Sequence, residues 1–147
     1  MTLDIINGDL FTVEKDYYLA HCISLDCAMG AGIALEFTEK FPNIKKYIRK
    51  VIVDKNIISH PAVVAYSSNG YRIFNMVTKR YYNNKPSYKS LEKCLSQIAL
   101  YCSKNNITKL AMPMIGCGHD QLKWDKVKCI IENVFKDNDI NIRIYNK

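Results

Sequence analysis

The feature that most constrains this chain is an alternation of two periodicities. Short apolar runs of strand length are separated by longer segments whose apolar residues recur every three to four positions. The clearest stripe is Tyr88, Leu91, Leu95, Ile98 and Cys102, which predicts a helix over residues 87–103. Gly30-Ala31-Gly32 opens another helical pattern carrying Ile33, Phe37 and Phe41. Pro42 interrupts it, and Ile44, Tyr47 and Ile48 continue as a second short helix. A further helix starts near Asp125 and buries Val127, Ile130, Ile131, Val134 and Phe135. Strands are expected at residues 3–6, 18–23, 62–66, 72–77 and 109–115, and at the alternating Ile140, Ile142 and Ile144. Ser67-Ser68-Asn69-Gly70 reads as the turn between the third and fourth of these. Strands alternating with helices predict an α/β fold of three layers, α/β/α, around a mixed, largely parallel central sheet.

Composition narrows the classes. At 147 residues, one domain over 1–147 is expected, and 48% hydrophobic with 24% charged residues is a globular balance. No apolar run approaches the roughly 18 residues of a membrane span. The opening MTLDIINGDLF carries acids rather than a basic region before an apolar core, so no export signal is read and the cytosol is expected. In that setting the six cysteines are expected to be reduced. None forms C-x-x-C, and no metal or other cofactor is expected. The net charge of +7 is uneven: residues 61–110 hold eight basic residues against one acid. This segment is either a solvated lysine-rich face or a surface for an anionic partner.

In parallel sheets, ligands bind beyond the carboxyl ends of the strands, where loops lead into helices. Three loops are expected there: Gly8-Asp9, residues 26–32 and residues 116–120. Met29-Gly30-Ala31-Gly32-Ile33-Ala34 places glycines before a helix, which lets free amides approach an anion closely. It matches neither GxGxxG nor a Walker loop, and alone it could be a plain tight turn. Pro113-Met114-Ile115-Gly116-Cys117-Gly118-His119-Asp120 is a strand running into a second glycine loop. Two such loops could wrap a diphosphate, and Asp120 could be a general acid/base or a loop cap. Thr78-Lys79-Arg80 follows the strand over 72–77. A lysine there is a surface charge unless it faces Asp120 across a cleft. As a nucleophile, an ordinary lysine is neutral in only about one molecule in 2,500 at pH 7.

In order along the chain, "NGDLF", "LAHCIS-x-DC-x-MGAGIA", "TK", "KPSY", "MP-x-IGCG-x-D" and "IRIY" resemble the macrodomain family. The resemblance is to the branch containing terminal ADP-ribose protein glycohydrolase, also called O-acetyl-ADP-ribose deacetylase. It implies a three-layer macrodomain that removes mono-ADP-ribose from acidic side chains of proteins, from O-acetyl-ADP-ribose or from nucleobases of DNA or RNA. The alternative it leaves is a non-catalytic module that binds ADP-ribose. The resemblance assigns Asp9 and Leu10 to the adenine end. It sets Gly30, Ala31, Gly32 and Ile33 on one side of the diphosphate and distal ribose, with Ile115, Gly116, Cys117 and Gly118 on the other. Ser24 and Thr78 match polar positions on the distal-ribose side. Lys79 matches a catalytic lysine that attacks the anomeric carbon of that ribose, and Asp120 an aspartate that resolves the adduct. The chain departs from the family where Ala20-His21-Cys22-Ile23 replaces the NAAN of the commoner macrodomain hydrolases. Met114 and His119 stand where vertebrate relatives hold arginine and leucine. A monomer with no membrane partner is expected, and His21 and His60 read as structural.

Overall fold

A computed structural model describes residues 1–118 and 120–147. The elements in chain order are β1 (Thr2–Asn7), β2 (Tyr18–Ser24), α1 (Gly32–Lys40), α2 (Ile44–Asp54), β3 (Ala62–Ser68) and β4 (Tyr71–Lys79). They are followed by α3 (Tyr88–Lys104), β5 (Lys109–Pro113), α4 (Trp124–Val134) and β6 (Asn141–Asn146). The six strands form one sheet in the order β1-β6-β5-β2-β4-β3. Every pairing is parallel except β3 with β4.

Period-two alternation divides the core between the two faces of that sheet. Ala20, Phe74, Met76, Met112, Ile142 and Ile144 face α3 and α4, where Leu91, Leu95, Ile98, Val127 and Ile131 are buried. Leu19, Ile23, Ile73, Val77, Ala111 and Tyr145 face α1 and α2, where Phe37, Ile44 and Ile48 are buried. Truncating a leucine such as Leu95, which is fully buried, costs about 2–5 kcal/mol. The antiparallel pair, β3 with β4, is joined by a two-residue turn. Asn69 and Gly70 both take positive φ (52° and 82°), which matches the right-handed twist of the flanking strands.

Several boundaries differ from expectation. The strand expected over 62–66 runs on to Ser68, so Ser67 and Ser68 pair with β4 instead of lying in the turn. The strand expected over 72–77 runs on to Lys79, so Thr78 and Lys79 belong to it rather than follow it. The strand expected over 109–115 stops at Pro113, and Met114 begins a turn closed by the Cys117 amide on the Met114 carbonyl (3.2 Å). Phe41 is not inside α1 but caps its end, its amide bonded to the Phe37 carbonyl, while its ring remains buried. The helix expected near Asp125 is α4, whose first residue is Trp124. The α3 start follows the sequence: the Ser87 hydroxyl accepts the Ser90 amide at 3.0 Å, satisfying one of the free N–H groups of the first turn.

Candidate active site

Because β1, β2, β4, β5 and β6 run parallel, their carboxyl ends share one edge of the sheet, and every loop singled out from the sequence emerges there. A cavity of about 710 Å³ opens over the ends of β2, β4 and β5. Ser24, Gly30, Ala31, Gly32, Ile33, Lys79, Ile115, Gly116, Gly118 and Asp120 line it. A second cavity of about 380 Å³, over β1 and β6, is lined by Asp9, Leu10 and Cys117 among others. The two share Ile33, Pro113, Met114 and Gly118 as wall, so together they form an elongated trough. Thr78 lies outside both linings. It is fully buried, and its hydroxyl has no hydrogen-bond partner among the described residues. His119 lies outside the described residues.

One wall is the start of α1. Ala31 is its N-cap, no side chain caps it among the described residues, and its first turn holds no acid. Its leading amides are therefore available, at the positive end of the helix dipole. The loop before it is held in a costly shape. Cys27 and Met29 both take positive φ (55° and 47°), a conformation costing non-glycine residues about 1–3 kcal/mol each. Both side chains are buried, with the Cys27 thiol 3.6 Å from the Met29 sulfur, and the Lys45 ammonium of α2 donates to the Ala28 carbonyl at 2.8 Å.

The opposite wall is the loop after β5. Gly116 takes φ 72°, and a Cβ there would lie 2.8 Å from Leu122 Cδ1, so the turn requires glycine. Gly30 and Gly118 differ: a Cβ on Gly118 would meet nothing within 4 Å, and one on Gly30 only the Ala28 carbonyl at 3.9 Å. The fold does not need glycine at these two positions.

Between the walls, the Lys79 ammonium lies 2.5 Å from Asp120 Oδ1, their side chains 12% and 13% exposed. A register shift aims the lysine. Ile23 pairs with Val77, but Ser24 pairs with Lys79, leaving Thr78 without a partner on β2. Such irregularities redirect side chains beside active sites. At the far end of the trough, Asp9 Oδ1 accepts the Phe11 amide at 3.0 Å, and Lys147 bridges Asp9 and Glu36.

His21 is no part of this chemistry. It is fully buried, stacks on Phe37 at 3.8 Å between centroids, and bonds Asn75 Oδ1 through Nε2 at 2.6 Å. Burial drives its pKa down to about 4, so it is neutral at pH 7. The Cys22 thiol beneath the cavity is pushed far up by burial and by the Asp120 charge, and stays protonated.

Sequence reasoning missed the part played by Asp26, which holds the Tyr82-Asn83-Asn84 wall of the cavity. Tyr82 Nα–H donates to Asp26 Oδ2 at 3.1 Å, a contact between residues 56 apart that no local pattern announces.

The family model described as "Macro domain" matches residues 21–131. The human protein named ADP-ribose glycohydrolase OARD1 is 40% identical over 140 residues, covering 95% of this chain and 88% of its own. The macrodomain of Mycobacterium tuberculosis DarG superposes with a TM-score of 0.88 at 21% identity, covering 99% of this chain and 98% of that one. Thermosipho africanus DarTG in complex with ADP-ribose superposes at 0.85 and 24% identity, over 98% of this chain and 41% of that one.

Proposed function

This chain belongs to the macro domain family, and from that premise we propose that it is an ADP-ribosyl glycohydrolase releasing mono-ADP-ribose from acidic side chains of proteins. The observation that carries the reading is the Lys79–Asp120 pair, set between two glycine loops at the centre of the trough. A module that only binds ADP-ribose has no use for a nearly buried amine and carboxylate at this point. The human relative's name, ADP-ribose glycohydrolase, supports the same activity.

ADP-ribose lies along the trough with its adenine toward Asp9 and Leu10, its diphosphate against the α1 amides and the Gly116 and Gly118 loop, and its distal ribose beside Ser24 and Lys79. Asp120, at 2.5 Å, first takes a proton from the Lys79 ammonium. The free amine attacks the anomeric carbon while the bond from that carbon to the ester oxygen breaks, and the substrate side chain leaves as a carboxylate, the adduct nitrogen carrying the positive charge. Water then cleaves the carbon–nitrogen bond of the adduct with help from Asp120, freeing ADP-ribose and restoring the lysine. No metal or other cofactor enters this scheme. O-acetyl-ADP-ribose whose acetyl group sits on the anomeric oxygen is a further substrate, since the same attack expels acetate.

One observation favours a second class of leaving group. Tyr81 and Tyr82 are 50% and 67% exposed, Tyr82 borders the cavity, and Arg80 lies over the Tyr81 ring. Exposed aromatics beside a cation suit stacking on a nucleobase of DNA or RNA. The protein acts as one domain over 1–147 and as a monomer. Its six free cysteines support a reducing compartment, the cytosol. The test is release of free ADP-ribose from glutamate-modified protein and from base-modified single-stranded DNA. Release from either by the wild type and not by Lys79→Ala is expected. Binding without release from both substrates leaves the binding module.

A further inference from the structure

We infer that Asp26 is a positioning residue for Lys79, clamping the loop after β4 onto the loop after β2. The inference rests on the glycohydrolase reading for its consequences in turnover, but its geometry stands independently.

Ladder pairing between β2 and β4 ends at Ser24 and Lys79, just after the register shift. From there the two chains are joined through residues 25 and 26. The Leu25 amide donates to the Lys79 carbonyl at 2.8 Å, and the Asp26 amide to the Arg80 carbonyl at 3.1 Å. The Asp26 side chain completes the join, with Oδ2 accepting the Tyr82 amide at 3.1 Å. Its Oδ1 accepts the Ser24 hydroxyl and, at 3.4 Å, the Ala28 amide. One exposed carboxylate thereby ties together the strand end that carries Lys79, the Tyr82 wall and the loop that leads to the α1 amides. This also occupies the Ser24 hydroxyl, which donates to Asp26.

The charges agree with the geometry. Burial works against the Asp26 carboxylate, but the hydrogen bonds from Ser24, Tyr82 and Ala28, with the charge of Lys79, outweigh it and hold its pKa below the ordinary value. Lys79 itself is ion-paired with Asp120 from the loop after β5. Removing the Asp26 side chain frees the loops after β2 and β4 from one another, so Lys79 is no longer held in place beside Asp120, whereas Asp26→Asn keeps one acceptor oxygen for the join.

The test compares wild type, Asp26→Asn and Asp26→Ala in the full chain by steady-state kinetics, ADP-ribose titration calorimetry, thermal melting and amide hydrogen exchange at Tyr82. In Asp26→Ala, kcat is expected to fall about tenfold or more, with KM and ADP-ribose affinity within about threefold of wild type and the melting temperature nearly unchanged. Asp26→Asn, which keeps one oxygen to accept the Tyr82 amide, is expected to retain at least about a third of the wild-type kcat. An Asp26→Ala protein with wild-type kcat overturns the inference. So does one whose ADP-ribose affinity and melting temperature fall in step with its turnover, since that marks a structural residue only. A wild type that releases no ADP-ribose refutes the glycohydrolase reading instead, and exchange at Tyr82, expected to quicken in Asp26→Ala, still decides whether Asp26 makes the join.

Discussion

The Lys79 ammonium and the Asp120 carboxylate meet at 2.5 Å although 41 residues separate them in the chain. Lys79 ends β4 and Asp120 follows β5, and β2 lies between those strands in the sheet. The pair therefore spans the carboxyl end of β2, directly between the two glycine loops. Parallel strands and a one-residue register shift produce this closure, and neither residue needs its local sequence to specify the other.

Lys79→Ala is expected to lower turnover at least about a hundredfold while ADP-ribose affinity changes less than about threefold, because the diphosphate and adenine walls are untouched. Lys79→Arg is expected to be as inactive, since a guanidinium restores the charge but stays protonated and cannot attack. Steady-state kinetics beside titration calorimetry reads both.

The glycines are expected to separate fold from ligand. Gly116→Ala should destabilise the protein by about 1–3 kcal/mol, because its φ is 72° and its Cβ would strike Leu122. Gly30→Val should leave the urea midpoint nearly unchanged, since its Cβ meets only a carbonyl at 3.9 Å, yet weaken ADP-ribose at least about tenfold. Equal stability losses in the two variants would contradict this division.

Asp9→Ala tests the far end of the trough. Its carboxylate lines the second cavity, where it can accept from the amino group of an adenine. ADP-ribose affinity is expected to fall about tenfold, roughly 1.4 kcal/mol, while affinity for ribose 5-phosphate, which lacks the base, is unchanged. Calorimetry with the two ligands distinguishes the assignment from a general loss of fold.

Much of this architecture is legible in the sequence, and the exceptions have physical causes. The stripe from Tyr88 to Cys102 and the alternation of Ile140, Ile142 and Ile144 are one-dimensional patterns of burial, and they appear as α3 and β6. The glycine loops are legible for the same reason, as local composition before a helix or after a strand. What is illegible depends on distant partners. The loop after β5 takes its shape from Leu122, whose amide bonds the Gly116 carbonyl at 2.7 Å. The burial of Thr78 follows from the register of β4 on β2. Asp26 takes its role from the Tyr82 amide, 56 residues away.

Stability is expected to depend on His21 below neutral pH. Its folded pKa of about 4 lies below the ordinary 6.5 because burial penalises the charge. The unfolded chain therefore binds a proton that the folded chain refuses, so stability is full above pH 6.5 and is lost as pH falls toward 4. Between pH 7 and pH 5 this amounts to about 2 kcal/mol. Urea unfolding at the two pH values should show that loss in the wild type and a smaller one in His21→Gln.

The most direct test of the account is the intact mass of Asp120→Ala after incubation with mono-ADP-ribosylated protein. If Lys79 attacks the anomeric carbon, more slowly where solvent rather than Asp120 takes its proton, and Asp120 is needed to resolve the product, the variant accumulates protein heavier by one ADP-ribose less one water. That mass survives denaturation, maps to Lys79 on peptide sequencing, and is missing from the Lys79→Arg, Asp120→Ala double variant. An unmodified Asp120→Ala protein, together with a Lys79→Arg enzyme that still releases ADP-ribose at the wild-type rate, would contradict the covalent lysine mechanism.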